Sequence, residues 1–101
     1  MLQIFIGEDD LWGTEPLYEA IIQKLRMLGA LGATAHRGLM GFGGQSRIHK
    51  SGSLGLSTEL PVTVTVIDTA EHIQRLLPVI DEMVSDGGLV VISTVEVLKH
   101  E

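Results

Sequence analysis

The chain has no cysteine among its 101 residues. That excludes disulfides, thiolate metal centres and cysteine nucleophiles, and it fits a reducing compartment, with the cytoplasm as the default. Aromatic residues make up only 4% of the chain, too few for the stacking platform of a single-strand binder. Basic residues are scarce too, seven against thirteen acidic ones, for a net charge of -6. A nucleic-acid binder needs a basic footprint to neutralise phosphates, so nucleic acid is not an expected partner. No apolar run approaches the roughly 20 residues that span a bilayer, so direct membrane insertion is not expected. Nor does a basic segment followed by an apolar core open the chain, and no secretory signal is expected.

What is present reads as one domain over residues 1–101, with a globular hydrophobic content of 45%. Leu2 to Ile6 is short, apolar and β-prone, predicting a first strand. Gly7 to Gly13 reads as an acidic loop. Thr14 is the expected N-cap of a first helix, with Glu15 and Pro16 in its opening turn. Leu17, Ile21, Leu25 and Leu28 recur at helical spacing, and Gly29 supplies the stop. Ala33 to Leu39 predicts a second strand and Pro61 to Ile67 a third.

Asp68-Thr69-Ala70-Glu71 has capping-box spacing and opens a second helix. Its buried stripe is Ile73, Leu76, Leu77, Ile80 and Val84, and Gly87-Gly88 stops it. Leu89 to Ile92 is a fourth strand, and Thr94 to Leu98 adds a short extra C-terminal strand or extension. The order β-α-β-β-α-β predicts an α+β, ferredoxin-like sandwich. Both helices then cover one sheet face and leave the other bare. Alternation puts Phe5, Thr63, Thr65 and Ile67 on that bare face, opposite Val62, Val64 and Val66. Such a face is too apolar for water, and packing against further copies of the chain is the expected remedy.

The middle of the chain is dense in glycine, and its loop runs to about Leu60. Gly41, Gly43 and Gly44 carry no side chain to keep a phosphate from their backbone N–H groups. Loops beyond about 12–15 residues are usually functional or disordered, and this one reads as the working end of a ligand sensor. Gln45 to Ser57, with few apolar anchors, should be mobile until ligand binds. Glu8, Asp9 and Asp10 read first as a solvated turn, with a hard-cation site or a charged lip as the functional alternative. His36, His49, His72 and His100 lack metal-ligand spacing, so no metal site is expected, and His72 is expected at the surface.

The run Gly29-x-x-Gly32-x-Thr34, followed by Gly41-Phe42-Gly43-x-Gln45, resembles that of PII nitrogen-regulatory signalling proteins. A closer resemblance is to the PII-like family known as domain of unknown function 190, or uncharacterised protein family 0166. Its pattern appears as Gly7-Glu8-x-Asp10, Pro16-Leu17-Tyr18-Glu19-Ala20-Ile21, Gly32-Ala33-Thr34 and Arg37-Gly38. It continues through Gly41-Phe42-Gly43, Ile48-His49, Leu56-Ser57, Leu60-Pro61 and Val66-x-Asp68, covering nearly the whole chain.

The resemblance implies a homotrimer with adenine-nucleotide sites in the clefts between subunits, and no required cofactor. It implies that Thr34, Gly41, Phe42, Gly43 and Gln45 line one wall of a cleft, with Gly87, Gly88 and Leu89 opposite; Arg37 is a further ligand-binding candidate if the fold aims it inward. Arg47, His49 and Lys50, in the long loop, would meet a downstream partner, implied to be a membrane transporter, a channel or a regulatory protein. PII proteins carry a lysine in the glycine loop after the second helix and arginines near the C-terminus. Here stand Asp86-Gly87-Gly88-Leu89-Val90, Lys99 and His100. Each lost charge-assisted contact is worth roughly 1.5–3 kcal/mol, so a mono- or diphosphate is expected in preference to ATP.

Other functions of the same fold fit less well. Acylphosphatases need an arginine-bearing anion loop after the first strand, where this chain has Glu8, Asp9 and Asp10. Metallochaperones use a Cys-x-x-Cys pair there. No serine or threonine stands at a recognisable spacing from a histidine and a carboxylate, so a non-enzymatic sensor is expected. The alternative is a structural or metal-binding trimer resembling copper-tolerance-type proteins, without nucleotide binding.

Overall fold

Residues 1–43, 47–50, 60–84 and 87–99 are described by the structure, a computed structural model. The elements in chain order are β1 (Leu2–Gly7), β2 (Leu11–Trp12), β3 (Glu15–Pro16), α1 (Leu17–Met27) and β4 (Ala33–Arg37). There follow β5 (Met40–Gly43), β6 (Arg47–Lys50), β7 (Pro61–Val66), α2 (Ala70–Met83) and β8 (Leu89–Ile92). The main sheet runs β4-β7-β1-β8 with every neighbouring pair antiparallel. This is the ferredoxin-like order that the element sequence predicts.

The core lies between the sheet and the helices. Leu2, Ile4 and Ile6 of β1 and Val62, Val64 and Val66 of β7 are buried on the helix side. Against them pack Leu17, Ala20, Ile21 and Leu25 of α1, and Ile73, Leu76, Ile80 and Met83 of α2. Burying each of the larger of these side chains contributes roughly 1.5–3 kcal/mol. Leu28 is exposed, because α1 has already ended there. Gly29, at φ +80°, closes that helix. Its N–H donates to the Arg26 carbonyl and that of Ala30 to the Leu25 carbonyl, the paired bonds of a Schellman motif.

Three local expectations need correction. Thr14 does not cap α1, which begins at Leu17 after Pro16 without a side-chain cap. Instead Leu11 pairs with Pro16 and Trp12 with Glu15. The two-residue turn Gly13-Thr14 closes this ribbon, with Gly13 at φ +66°, a conformation that glycine adopts at no steric cost. The second helix is capped by Thr69 rather than Asp68, its Oγ1 accepting from the His72 N–H at 3.2 Å.

The glycine-dense stretch is the third correction. Met40 to Gly43 pairs with Arg47 to Lys50 as an antiparallel hairpin, so Gly41 and Gly43 belong to a ladder rather than an open loop. At the C-terminus, of the strand or extension expected, the extension forms. The Met1 ammonium donates to the Ser93 carbonyl at 2.6 Å, and the Ser93 N–H returns a bond to the Met1 carbonyl at 2.8 Å. Beyond Ser93, Thr94 to Leu98 runs on as an extension outside the sheet.

Candidate functional site

Opposed residues of an antiparallel ladder share a sheet face, which fixes where the candidate residues lie. His36, Thr63, Phe5 and Leu89 form one row across the bare face. Thr34, Thr65, Gln3 and Val91 form the next, with Gln3 Nε2 donating to Thr65 Oγ1 at 3.4 Å. Phe5 and Leu89 are both exposed there. Thr34 sits at one edge of the face and Leu89 at the other, three strand spacings or about 14 Å across the sheet and one row further along it. Within one chain the two walls of the expected cleft therefore do not meet.

Arg37 opposes Val62 and belongs to the helix side, not to the face that carries Thr34. Its Nε lies 3.0 Å from Oε2 of Glu8. Next to it the Gly38 N–H donates to the Pro61 carbonyl at 2.7 Å, and a Cβ at Gly38 would meet Pro61 Cγ at 2.8 Å. Gly41 also rests against that proline ring. Phe42 and Gly43 lie on β5, and Arg47, His49 and Lys50 on β6. Gln45, Asp86, His100 and most of the stretch from Gln45 to Ser57 lie outside the described residues.

At the opposite edge Gly87 is an exposed turn. Gly88 is enclosed: a Cβ there would collide with Val84 Cγ1 and approach Ile6 Cγ2 and the Phe5 carbonyl oxygen. The acidic loop is used locally. Asp10 accepts the Gly7 N–H on Oδ2 at 2.9 Å, Glu8 is held by Arg37, and Asp9 is exposed. A groove of about 470 Å³ lies between α1 and the outer edge of β4, lined by Tyr18, Glu19, Ile22 and Gln23 of the helix and by Ala33, Thr34 and Ala35 along the strand edge. A second, of about 390 Å³, lies between α2 and β8 beside Leu77, Pro78 and Val90.

The sequence profile of the DUF190 family, described as "Uncharacterized ACR", matches residues 1–97. The chain belongs to the DUF190 family. It is 33% identical over 101 residues to the UPF0166 protein MJ1524 of Methanocaldococcus jannaschii, covering 100% of this chain and 93% of that protein. It is 34% identical over 98 residues to a UPF0166 protein of Aquifex aeolicus, covering 97% of this chain and 91% of that one.

One polar cluster of this DUF190 chain escaped the sequence reading. Asp68 Oδ2 accepts from the Leu31 N–H at 3.1 Å and Oδ1 from the Thr69 N–H at 2.7 Å. His72 Nδ1 lies 2.7 Å from the same carboxylate, and its Nε2 lies 3.3 Å from the Leu28 carbonyl. Burial of Asp68 alone would raise its pKa. Hydrogen bonds from the Thr69 and Leu31 backbones, with His72 alongside, outweigh burial and hold the carboxyl below its ordinary value. His72 is therefore half-buried and engaged, not a free surface residue. The i,i+4 spacing of Asp68 and His72 was the available signal. The cluster ties the end of α1 to the start of α2, and so fixes the turn that leads into Gly32 and Thr34.

Proposed function

We infer that this DUF190 chain is a non-enzymatic signalling protein of the PII-like kind. It assembles as a homotrimer, binds an adenine nucleotide in clefts between subunits, and reports occupancy through the segment joining β4 to β7. The observation that carries this reading is the position of Thr34 and Leu89 at opposite edges of one sheet face. Motifs that resemble the two walls of a PII nucleotide site can then meet only between copies. Backbone N–H groups at glycines bind anions without basic side chains, which suits an acidic chain.

The segment from β4 to β7, with Arg47, His49 and Lys50, is the surface for a downstream partner. On the PII resemblance that partner is a transporter, a channel or a regulatory protein reached from the cytoplasm. Among the described residues no helix is long and apolar enough to cross a membrane.

Calorimetric titration of the purified protein with AMP, ADP, ATP and cyclic nucleotides tests the reading. A mono- or diphosphate should bind tighter than ATP, and Gly43→Val should abolish binding, because a branched side chain blocks close backbone approach. ATP binding tightest, or normal binding by the Gly43 variant, would remove the site from this position.

A further inference from the structure

The extension after Ser93 and the free edge of β4 are complementary, and each lacks a partner among the described residues of its own chain. Val95, Val97 and Leu98 are 38%, 56% and 85% exposed. The sequence Thr94-Val95-Glu96-Val97-Leu98 alternates polar and apolar through Val97, as a strand with one buried face does. β4 is equally long, from Ala33 to Arg37, and its outer edge offers unpaired backbone groups.

We propose that residues 94–98 of one copy add as an antiparallel strand to the outer edge of β4 in the next copy. Glu96 then stands opposite Thr34, Val95 opposite Ala35 and Val97 opposite Ala33. This rests on the assembly of copies inferred above and adds how neighbouring copies are joined. Both faces match in this register. Ala33 and Ala35 oppose Val66 and Val64, and so face the helix side. There the two valines enter the groove between α1 and β4, where Tyr18 and Ile22 provide apolar wall and the alanines leave room. On the other face Thr94 and Glu96 fall beside His36 and Thr34, polar against polar.

The outer edge of β8 fits less well. Its bare-face residues are Leu89 and Val91, which would oppose Thr94 and Glu96. A tail reaching the next copy's β4 is also a head-to-tail contact, which closes into a ring when the rotation between copies allows. It carries a neighbouring carboxylate to Thr34, at the candidate ligand site.

The chain has no native cysteine, so paired substitutions read the register directly. Thr34→Cys with Glu96→Cys, oxidised in the full-length protein, should give covalent dimers and trimers on a non-reducing gel. Thr34→Cys with Val97→Cys, on opposite faces, should not. Val95→Asp with Val97→Asp should shift the light-scattering mass from about three times 10.9 kDa toward a single chain, with an unchanged circular dichroism spectrum. An oligomeric parent without the Thr34–Glu96 cross-link, and with the aspartate variant still oligomeric, overturns the strand addition and leaves the inter-subunit site standing. Cross-linking of Glu96→Cys to Val91→Cys instead would move the tail to β8 and overturn the β4 assignment. A monomeric parent overturns both readings.

Discussion

Arg37 and Glu8 are joined across the end of the sheet, Nε to Oε2 at 3.0 Å, although β7 separates the strands from which they come. The one arginine of β4 is thus already engaged by a carboxylate. Both side chains reach solvent, at 60% and 24% exposure, where such a pair contributes only about 0–1 kcal/mol. An anion of higher charge can compete for the arginine.

The first prediction follows from that competition. Glu8→Ala should leave nucleotide affinity unchanged or raise it, while the urea midpoint moves by less than about 1 kcal/mol in stability. Calorimetry with AMP and a urea melt on the same preparation give both numbers. A clear loss of affinity would assign Glu8 to the ligand, through a bridging cation.

Asp68 contributes to the acid limb of stability. Its unfolded carboxyl titrates near the ordinary 3.8 and the folded one lower, so the unfolded chain takes up the proton first as pH falls. The stabilisation is complete above that range and is lost as pH drops through the folded value. Asp68→Ala should cost about 1–3 kcal/mol at neutral pH, because the Leu31 and Thr69 N–H groups lose their acceptor. The cost should shrink toward acid. Denaturant midpoints measured across pH 2 to 7, with each pH value as ~1-unit steps, test both statements; a cost independent of pH would contradict the ionic role.

Glycine substitutions beside β4 separate steric need from mere permissiveness. Gly38→Ala sets a Cβ 2.8 Å from the ring of Pro61, and relieving it strains the bond between the Gly38 N–H and the Pro61 carbonyl. We expect a loss of about 1–3 kcal/mol. Gly32→Ala meets nothing within 4 Å and should be neutral or stabilising by about 0.4–1 kcal/mol. Thermal melts of the two variants side by side should give shifts of opposite sign or clearly unequal size.

The bare sheet face makes its own prediction. Phe5→Asp places a charge in the middle of the row His36, Thr63, Phe5, Leu89. Light scattering should fall from about three times 10.9 kDa toward a single chain, with helical circular dichroism retained. A variant that keeps the parent mass would show that this face is not the one that copies share.

Much of the scaffold was legible because its signals are local. Gly29 stops α1 through its own backbone freedom, and valines alternating with threonines place β7 without knowledge of its neighbours. The start of α1 was not legible, since Glu15 and Pro16 suit a first helical turn as well as a ribbon. Pairing with Leu11 and Trp12 decides it. The β5–β6 hairpin was hidden for a similar reason: Gly41 and Gly43 weaken strand propensity, and only the partner strand supplies the ladder. The Asp68 cluster depends on Leu28 and Leu31, which the fold brings in from another element. For the candidate residues, motif order along the chain carries no information on position in the sheet, and the placing of Thr34 and Leu89 at opposite edges was a matter of topology.

The clasp between Met1 and Ser93 sets where the chain's two ends can go. Met1 is pinned at one corner of the sheet, and residues 94–99 leave from that same corner. Joining Glu101 to Met1 and reopening the chain between Gly43 and Arg47 would yield a circular permutant with the four-stranded sheet intact. In that permutant the last eight residues become a tether tied back to their own protomer. The same amino acids would fold the same domain, and the segment that now leaves it would become a closed strap.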